Sequence, residues 1–144
     1  MKNRALLMES YDEYDEYDEE EEEEKETEEA LGDCYQAAGQ YAMMKCQFSS
    51  SSTECDDLVI VHGEVMGQGH LEGITYGHAW IESKGMVIDV SNGRNIKLPI
   101  IIYYALGKIG EIDNYVKYTW KEAREKIVAS KHWGPWDLET SSGL

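Results

Sequence analysis

Three short segments in the middle of the chain carry the β-branched or alternating pattern that is typical of strands. Residues 57–65 read DLVIVHGEV, residues 74–83 read ITYGHAWIES, and residues 86–91 read MVIDVS. A Lys-Gly pair separates the second segment from the third, which predicts a tight turn and therefore a β-hairpin. The three glycines of residues 66–73, MGQGHLEG, predict a turn between the first segment and the second.

Helical patterns lie on both sides of these strands. Asp33 is a candidate N-cap for a helix that ends near Cys46. The helical spacing predicts one buried face, formed by Tyr35, Ala38, Ala42 and Cys46. Residues 98–110, LPIIIYYALGKIG, predict a second helix that opens with Pro99 in its first turn.

The last part of the domain is predicted to hold a strand and a helix. Residues 114–119 read NYVKYT, and Thr119 with Glu122 three residues later forms a capping-box pattern for a helix to about residue 131. Two tryptophans follow, Trp133 and Trp136, and we expect both to pack back on the domain. A helix, antiparallel strands, a helix, a strand and a helix together predict an α+β fold.

The acidic residues are concentrated at the start of the chain. Residues 1–29 hold 15 of the 29 acidic residues and only three of the 13 basic ones, in a repeated YDE unit followed by a run of glutamates. So many carboxylates repel each other, and hardly any aliphatic side chains accompany them, so we predict that residues 1–29 are a disordered tail. Residues 30–144 are long enough to form one domain with its own core.

Composition also limits location and partners. The longest apolar run, at residues 98–107, is shorter than the roughly 20 residues that a membrane-spanning helix needs. The start of the chain lacks a full signal-peptide core, so we expect a cytoplasmic protein without a membrane partner. Neither the tail nor the domain offers a basic patch, which disfavours direct nucleic-acid binding. The tail is most simply a solubilising segment, and it could instead engage a basic protein partner.

Three cysteines and a series of histidines raise the question of chemistry. Cys34, Cys46 and Cys55 match no zinc pattern, and a disulfide between the last two is expected only if the protein meets an oxidising compartment. His62, His70 and His78 recur every eight residues, but they belong to different elements, which disfavours a metal site. No metal and no cofactor are therefore expected.

Cys34, His78 and Asp89 together form a candidate catalytic group. Cys34 lies in the first turn of the first helix, where unpaired N–H groups and the helix dipole favour a thiolate. His78 and Asp89 lie on the two strands of the hairpin and are near each other along the ladder. A nucleophile, a base and an orienting carboxylate are the parts of an activated-thiol site. Taken singly, each residue is more often structural than catalytic.

The motifs around these residues also carry a family resemblance. GDCYQAA, YGHAWIES and VIDVSNG, within residues 31–95, resemble the transglutaminase-like branch of the papain-like superfamily. The resemblance implies a core in which an N-terminal helix packs on a small antiparallel sheet, with flanking C-terminal helices. It implies Cys34 as nucleophile, His78 as base and Asp89 as orienting acid. Small size, acidic tail and chain ending also resemble bacteriophage proteins, which would place the domain in host cytoplasm.

The sequence departs from the family pattern at the oxyanion hole. The family often has a donor side chain just before the cysteine, where this chain has its acidic tail and ALGD. The Cys34 backbone N–H can supply one donor, and Gln36, Gln68 and Tyr76 are candidates for the second. Trp80 lies two residues beyond His78 on the same strand, and we expect it to wall the cleft.

Two functions follow from these residues. The first is cysteine-dependent acyl transfer or amide hydrolysis through a thioester, of the protease, deamidase or transglutaminase type, on a protein or peptide amide. The second is a catalytically inactive binding or inhibitory module of the same fold, which uses its acidic tail to engage a basic partner. The sequence does not distinguish hydrolysis from transfer, since water and amines attack the same thioester.

Overall fold

The computed structural model describes residues 33–49 and 53–141. The predicted disordered tail, residues 1–29, lies outside this part of the chain. Nine helices and strands of the described residues are labelled here in chain order. They are α1 (Cys34–Cys46), β1 (Val59–Met66), β2 (Thr75–Ser83), β3 (Met86–Asp89), β4 (Ile96–Pro99), α2 (Ile100–Leu106), α3 (Ile109–Ile112), β5 (Tyr115–Thr119) and α4 (Trp120–Ser130). Short 3₁₀ turns, Gly69–Leu71 and Ser91–Gly93, connect strands.

The strands form one antiparallel sheet in the order β4-β3-β2-β1-β5. The β1 and β2 strands are buried over almost their whole length, because helices cover both faces of the sheet. The prediction of an α+β fold with an N-terminal helix on an antiparallel sheet is confirmed. None of the helices in the described residues is long and apolar enough to cross a membrane.

The two faces of the sheet have separate cores. On the first, the α1 face, Tyr35, Ala38 and Ala42 of α1 pack against alternate strand residues, including Ile60 and Ile81, and against Ala123 of α4. On the second, the α2 face, Tyr103 and Tyr104 of α2 and Ile109 of α3 pack against Val61, Trp80 and Val87. Since successive strand residues point to opposite faces, the buried apolar side chains of β1 and β2 are divided between the two cores.

The predicted helix over residues 98–110 is wrong at its start and in its middle. Leu98 pairs with Val87 and Pro99 with Met86, so this segment opens as an edge strand, a position where the missing N–H of proline is tolerated. The helix begins one residue later, at Ile100. It is broken at Lys108, which has a left-handed φ of 52°.

The other helix predictions are largely confirmed. The Thr119 and Glu122 side chains form the reciprocal capping box that starts α4. Asp33 precedes α1, but its side chain makes no capping hydrogen bond. Trp133 and Trp136 pack on the α1-face core, as expected.

One disulfide joins the end of α1 to the following loop. Cys46 and Cys55 are bonded, with their Cα atoms 4.8 Å apart. Cys46 is consequently half-buried in a bridge at the rim of the α1 core and is not a buried helix-face residue. Disulfides persist in oxidising environments, so the expected cytoplasmic location stays a prediction.

Candidate active site

The HAWIE spacing of β2 places three polar or aromatic side chains on one face. His78, Trp80 and Glu82 alternate with Ala79 and Ile81, which belong to the α1-face core. All five residues are buried. The histidine noted in the sequence therefore points to the α2 face because its small and apolar neighbours fill the other face.

The hairpin brings Asp89 to His78. The last paired residues of β2 and β3 are Ile81 and Ile88, so Asp89 ends its strand on the same face as His78. Asp89 Oδ2 lies 2.9 Å from His78 Nε2, and both side chains are buried, with 3% and 6% of their surfaces exposed. A carboxylate oxygen can only accept, so Nε2 carries the proton and Nδ1 faces away from Asp89.

Asp89 has further hydrogen-bond donors. The backbone N–H and the hydroxyl of Ser91 donate to Oδ1 at 3.1 and 2.7 Å. The Tyr103 hydroxyl donates to Oδ2 at 2.8 Å. Burial alone would raise the pKa of Asp89, but the bonds to His78 and Ser91 together with the His78 charge hold this pKa well below its usual range.

The pKa of His78 moves the other way. Burial alone would lower it, but the hydrogen bond to Asp89 and the interactions with Cys34 raise the pKa of His78 well above its ordinary value. The thiol is therefore within interaction range of the ring. Among the described residues, His78 Nδ1 has no formed hydrogen bond. In catalytic sites without a bound ligand, the hydrogen bonds of the catalytic groups are often long or poorly aligned.

Cys34 is the first residue of α1, and this helix packs on β2 and on the Ser91–Gly93 turn. The packing carries the helix N-terminus to the end of the hairpin where His78 and Asp89 meet. Cys34 is fully buried, and it is the free cysteine of the three. A first-turn backbone N–H has no acceptor within its own helix, so the Cys34 N–H is a candidate donor to a substrate.

Glu82 is the third residue of the HAWIE segment whose side chain lies on the α2 face. Its carboxylate accepts hydrogen bonds from the indole N–H of Trp80 at 3.0 Å, from the ammonium of Lys117 at 2.9 Å, and from the hydroxyl of Tyr104. Trp80 in turn is stacked beside His78, with ring centroids 6.2 Å apart. A fixed indole therefore supports the imidazole from one side.

A cavity of about 150 Å³ opens beside the His78–Asp89 pair. The part of its wall beside this pair is formed by His78, Asp89, Tyr76 and Tyr103. The remaining walls are mostly apolar, and Arg94 is an exposed cationic group among them. These walls are formed by Val65, Met66, Gln68, His70, Leu71, Arg94, Ile96, Leu98, Leu106 and Gly107. Trp80 is fully buried and does not line this cavity.

The structure separates the candidates for the second oxyanion donor. Gln36 is exposed on α1. Gln68 lines the cavity, but its amide donates to the Leu106 carbonyl at 2.6 Å. Tyr76 is buried, lines the cavity, and has its ring centroid 5.9 Å from that of His78. Burial raises the pKa of Tyr76, so its hydroxyl stays protonated and able to donate.

Sequence reasoning missed Ser91 and Tyr103. Ser91 follows Asp89 by two residues, a spacing at which the backbone and hydroxyl often hydrogen-bond an aspartate, so a local signal existed. Tyr103 comes from a separate helix, and its contact with Asp89 depends on how α2 packs on the sheet. No sequence pattern indicates that contact.

The regularly spaced histidines do not converge. His62 pairs with Ala79 across β1 and β2, so it projects to the α1 face, whereas His78 projects to the α2 face. Among residues 33–49 and 53–141, no group of three or more His, Cys, Asp or Glu side chains could hold a metal ion.

His62 lies instead in an aromatic cage, formed by Tyr35, Tyr118 and Trp136 at ring-centroid distances of 4.8, 5.1 and 4.9 Å. Neither of its ring nitrogens has a hydrogen-bond partner within the described residues. Burial lowers the pKa of His62 to about 4, and the charge of Asp137 opposes this only in part. His62 is therefore neutral near pH 7.

Comparison with known proteins gave no match to a family model, to a curated protein or to a solved structure.

Proposed function

We propose that the domain is a cysteine-dependent acyl-transfer enzyme or amidase that works through a thioester on Cys34. The observation that carries the proposal is the buried His78–Asp89 pair, joined at 2.9 Å and in interaction range of a free cysteine at a helix N-terminus. The resemblance to the transglutaminase-like branch of the papain-like superfamily supports the same three roles and the same core.

The first half-reaction forms the thioester. The Cys34 thiolate attacks the carbonyl carbon of an amide, a C–S bond forms, and the carbonyl electrons move to oxygen. The protonated His78 then gives its Nδ1 proton to the departing amine as the C–N bond breaks. Asp89 holds Nε2–H throughout, so Nδ1 is the nitrogen that exchanges the proton.

The second half-reaction releases the acyl group. Water or an amine attacks the thioester while neutral His78 accepts the proton of the attacking group at Nδ1. The C–S bond breaks and the thiolate returns beside the imidazolium. Water gives hydrolysis and an amine gives transfer, so the incoming nucleophile decides between amidase and transglutaminase outcomes.

The oxyanion in both steps requires donors. The Cys34 backbone N–H supplies one, and we assign the second to the Tyr76 hydroxyl, which is protonated and lines the cavity beside His78. The mostly apolar cavity would hold an apolar part of a protein or peptide substrate next to the amide.

The burial of Cys34 sets a condition on this chemistry. Its side chain is fully covered, so residues above the thiol must move before an acyl carbon reaches it. This observation also favours the second function, an inactive module of the same fold. The acidic tail proposed to engage a basic partner lies outside the described residues.

A small activated acyl donor distinguishes these functions. We expect p-nitrophenyl acetate to acetylate Cys34, detected as a thioester by intact-protein mass spectrometry after acid quenching. Hydroxylamine in the reaction should yield acetohydroxamate if amines are accepted. The matched control is Cys34→Ala, which leaves the Cys46–Cys55 disulfide in place. Equal acetylation of the protein and this variant, or no acetylation at any pH at which the fold is intact, would exclude the enzyme.

A further inference from the structure

Asp89 is held by more partners than an orienting carboxylate needs. Its Oδ1 accepts two bonds from Ser91, and its Oδ2 accepts from both His78 and Tyr103. Only one of these donors, Tyr103, comes from outside the hairpin and the turn that follows it. The carboxylate is thus fixed from two directions.

The position of Tyr103 is what makes this contact specific. Its hydroxyl donates to the same oxygen, Asp89 Oδ2, that accepts from His78. It therefore limits rotation of the carboxylate about its Cβ–Cγ bond and keeps Oδ2 directed toward the ring. Its own aromatic ring contacts Trp80, at a centroid distance of 5.4 Å, and Trp80 is stacked beside His78. One side chain therefore touches both the carboxylate and the indole that support the imidazole.

Tyr103 also lines the cavity beside His78. A group that fills the cavity up to this wall would contact Tyr103, whose hydroxyl holds Asp89. Tyr103 is therefore shared by the cavity wall and by the hydrogen bonds of Asp89.

From these contacts we propose that Tyr103 is a positioning residue for the catalytic group, holding Asp89 Oδ2 toward His78 Nε2 from helix α2. The catalytic meaning of this role rests on the proposed function. The positioning of Asp89 toward His78 does not, because it can be observed without a reaction. In this role Tyr103 acts on His78 through Asp89.

The adjacent tyrosine provides a matched control. Tyr104 lies on the same helix, is also half-buried, and donates its hydroxyl to a different buried carboxylate, Glu82. Tyr103→Phe and Tyr104→Phe each remove one hydroxyl from α2 and one donor from a carboxylate. Only the first removes a donor from Asp89.

The test observes the His78 ring directly by NMR. A hydrogen-bonded imidazole N–H gives a low-field proton resonance, and ring nitrogen shifts report its tautomer. We expect Tyr103→Phe to shift this resonance and to speed its exchange with water, while Tyr104→Phe, which reaches His78 only through Glu82 and Trp80, shifts it less. Ser91→Ala, which keeps the backbone donor to Oδ1, should give a smaller change. Circular dichroism checks that each variant is folded.

Acetylation of Cys34 by p-nitrophenyl acetate is the second measurement. We expect a loss of about three- to ten-fold for Tyr103→Phe, smaller than for removal of the Asp89 charge, and a smaller loss for Tyr104→Phe. A Tyr103→Phe resonance identical to that of the unaltered protein overturns the inference, whatever the reactivity of Cys34. A changed resonance in a protein whose Cys34 is never acetylated supports the positioning role and overturns the proposed function.

Discussion

His62 and His78 are both buried in the same sheet, one on each face, and the main difference between their surroundings is the hydrogen-bond partner of the ring. His78 has a carboxylate at 2.9 Å, whereas His62 has three aromatic rings and no hydrogen-bond partner among the described residues. Burial disfavours the charged form of each. Only His78 has partners that overcome this cost, so the pKa of His78 is raised and that of His62 is lowered to about 4.

The difference reverses the effect of pH on stability. The lowered pKa of His62 stabilises the fold above the unfolded-state pKa, and this contribution is lost as pH falls toward 4. The raised pKa of His78 stabilises the fold below the unfolded-state pKa, and this contribution is lost as pH rises through the folded value. Burial alone therefore does not distinguish His78 from His62; the hydrogen-bond partner of the ring does.

The largest expected effect is on catalysis, when His78 is replaced. We expect His78→Ala to lower the rate of Cys34 acetylation about a thousand-fold, since general acid–base catalysis contributes roughly 10²–10⁴. The rate is measured with p-nitrophenyl acetate near pH 7. His62→Phe is the control on the opposite face, and an equal loss in that variant would show that the two histidines do not differ as described.

The second effect is on stability and concerns His62. Between an unfolded pKa near 6.5 and a folded pKa of about 4, acidification should cost the native protein about 3 kcal/mol through this residue. Replacement by Phe keeps an aromatic ring and removes the proton site. We expect urea unfolding of His62→Phe to show a correspondingly flatter pH dependence in this window, and an unchanged slope would refute the neutral assignment.

The third effect concerns Asp89, the carboxylate that bonds His78 and has no counterpart at His62 in the described part of the chain. We expect Asp89→Asn to reduce Cys34 acetylation at least about ten-fold, because the amide can present its N–H₂ to the ring and the imidazolium loses its counter-charge. A thiolate–imidazolium pair can form before substrate binds, which makes the expected loss smaller than for His78→Ala. Acetylation rates across the pH range in which circular dichroism shows an intact fold provide the measurement. Unaltered rates would leave Asp89 as a strand-end residue.

The smallest effect is expected at Asp137, the carboxylate whose charge acts on His62. Asp137 influences His62 only through its charge, since its hydrogen bonds are to the Tyr118 hydroxyl and to Lys126. We expect Asp137→Asn to leave Cys34 acetylation within about two-fold of the unaltered rate, because exposed ion pairs contribute little. A ten-fold loss in this variant would mean that the α1 face takes part in catalysis.

Local sequence patterns predicted the features that depend on residues close together in the chain, and they missed the contacts between distant segments. The hairpin, the capping box of α4 and the nearness of His78 to Asp89 follow from spacing within about a dozen residues. Tyr103 reaches Asp89 only through the packing of α2 on the sheet, and no pattern reports such packing. Pro99 likewise suggested a helix start, and only the pairing of β4 with β3 makes it the end of a strand.

The disulfide at the end of α1 also fixes how the protein can be assayed. With Cys46 and Cys55 bonded, a thiol titration of the folded chain should count at most one group, and any label must be on Cys34. Adding reductant before such an assay would release two further thiols and mix their signal with that of Cys34. In the unreduced protein Cys34 can thus be labelled at a single site without replacing Cys46 or Cys55.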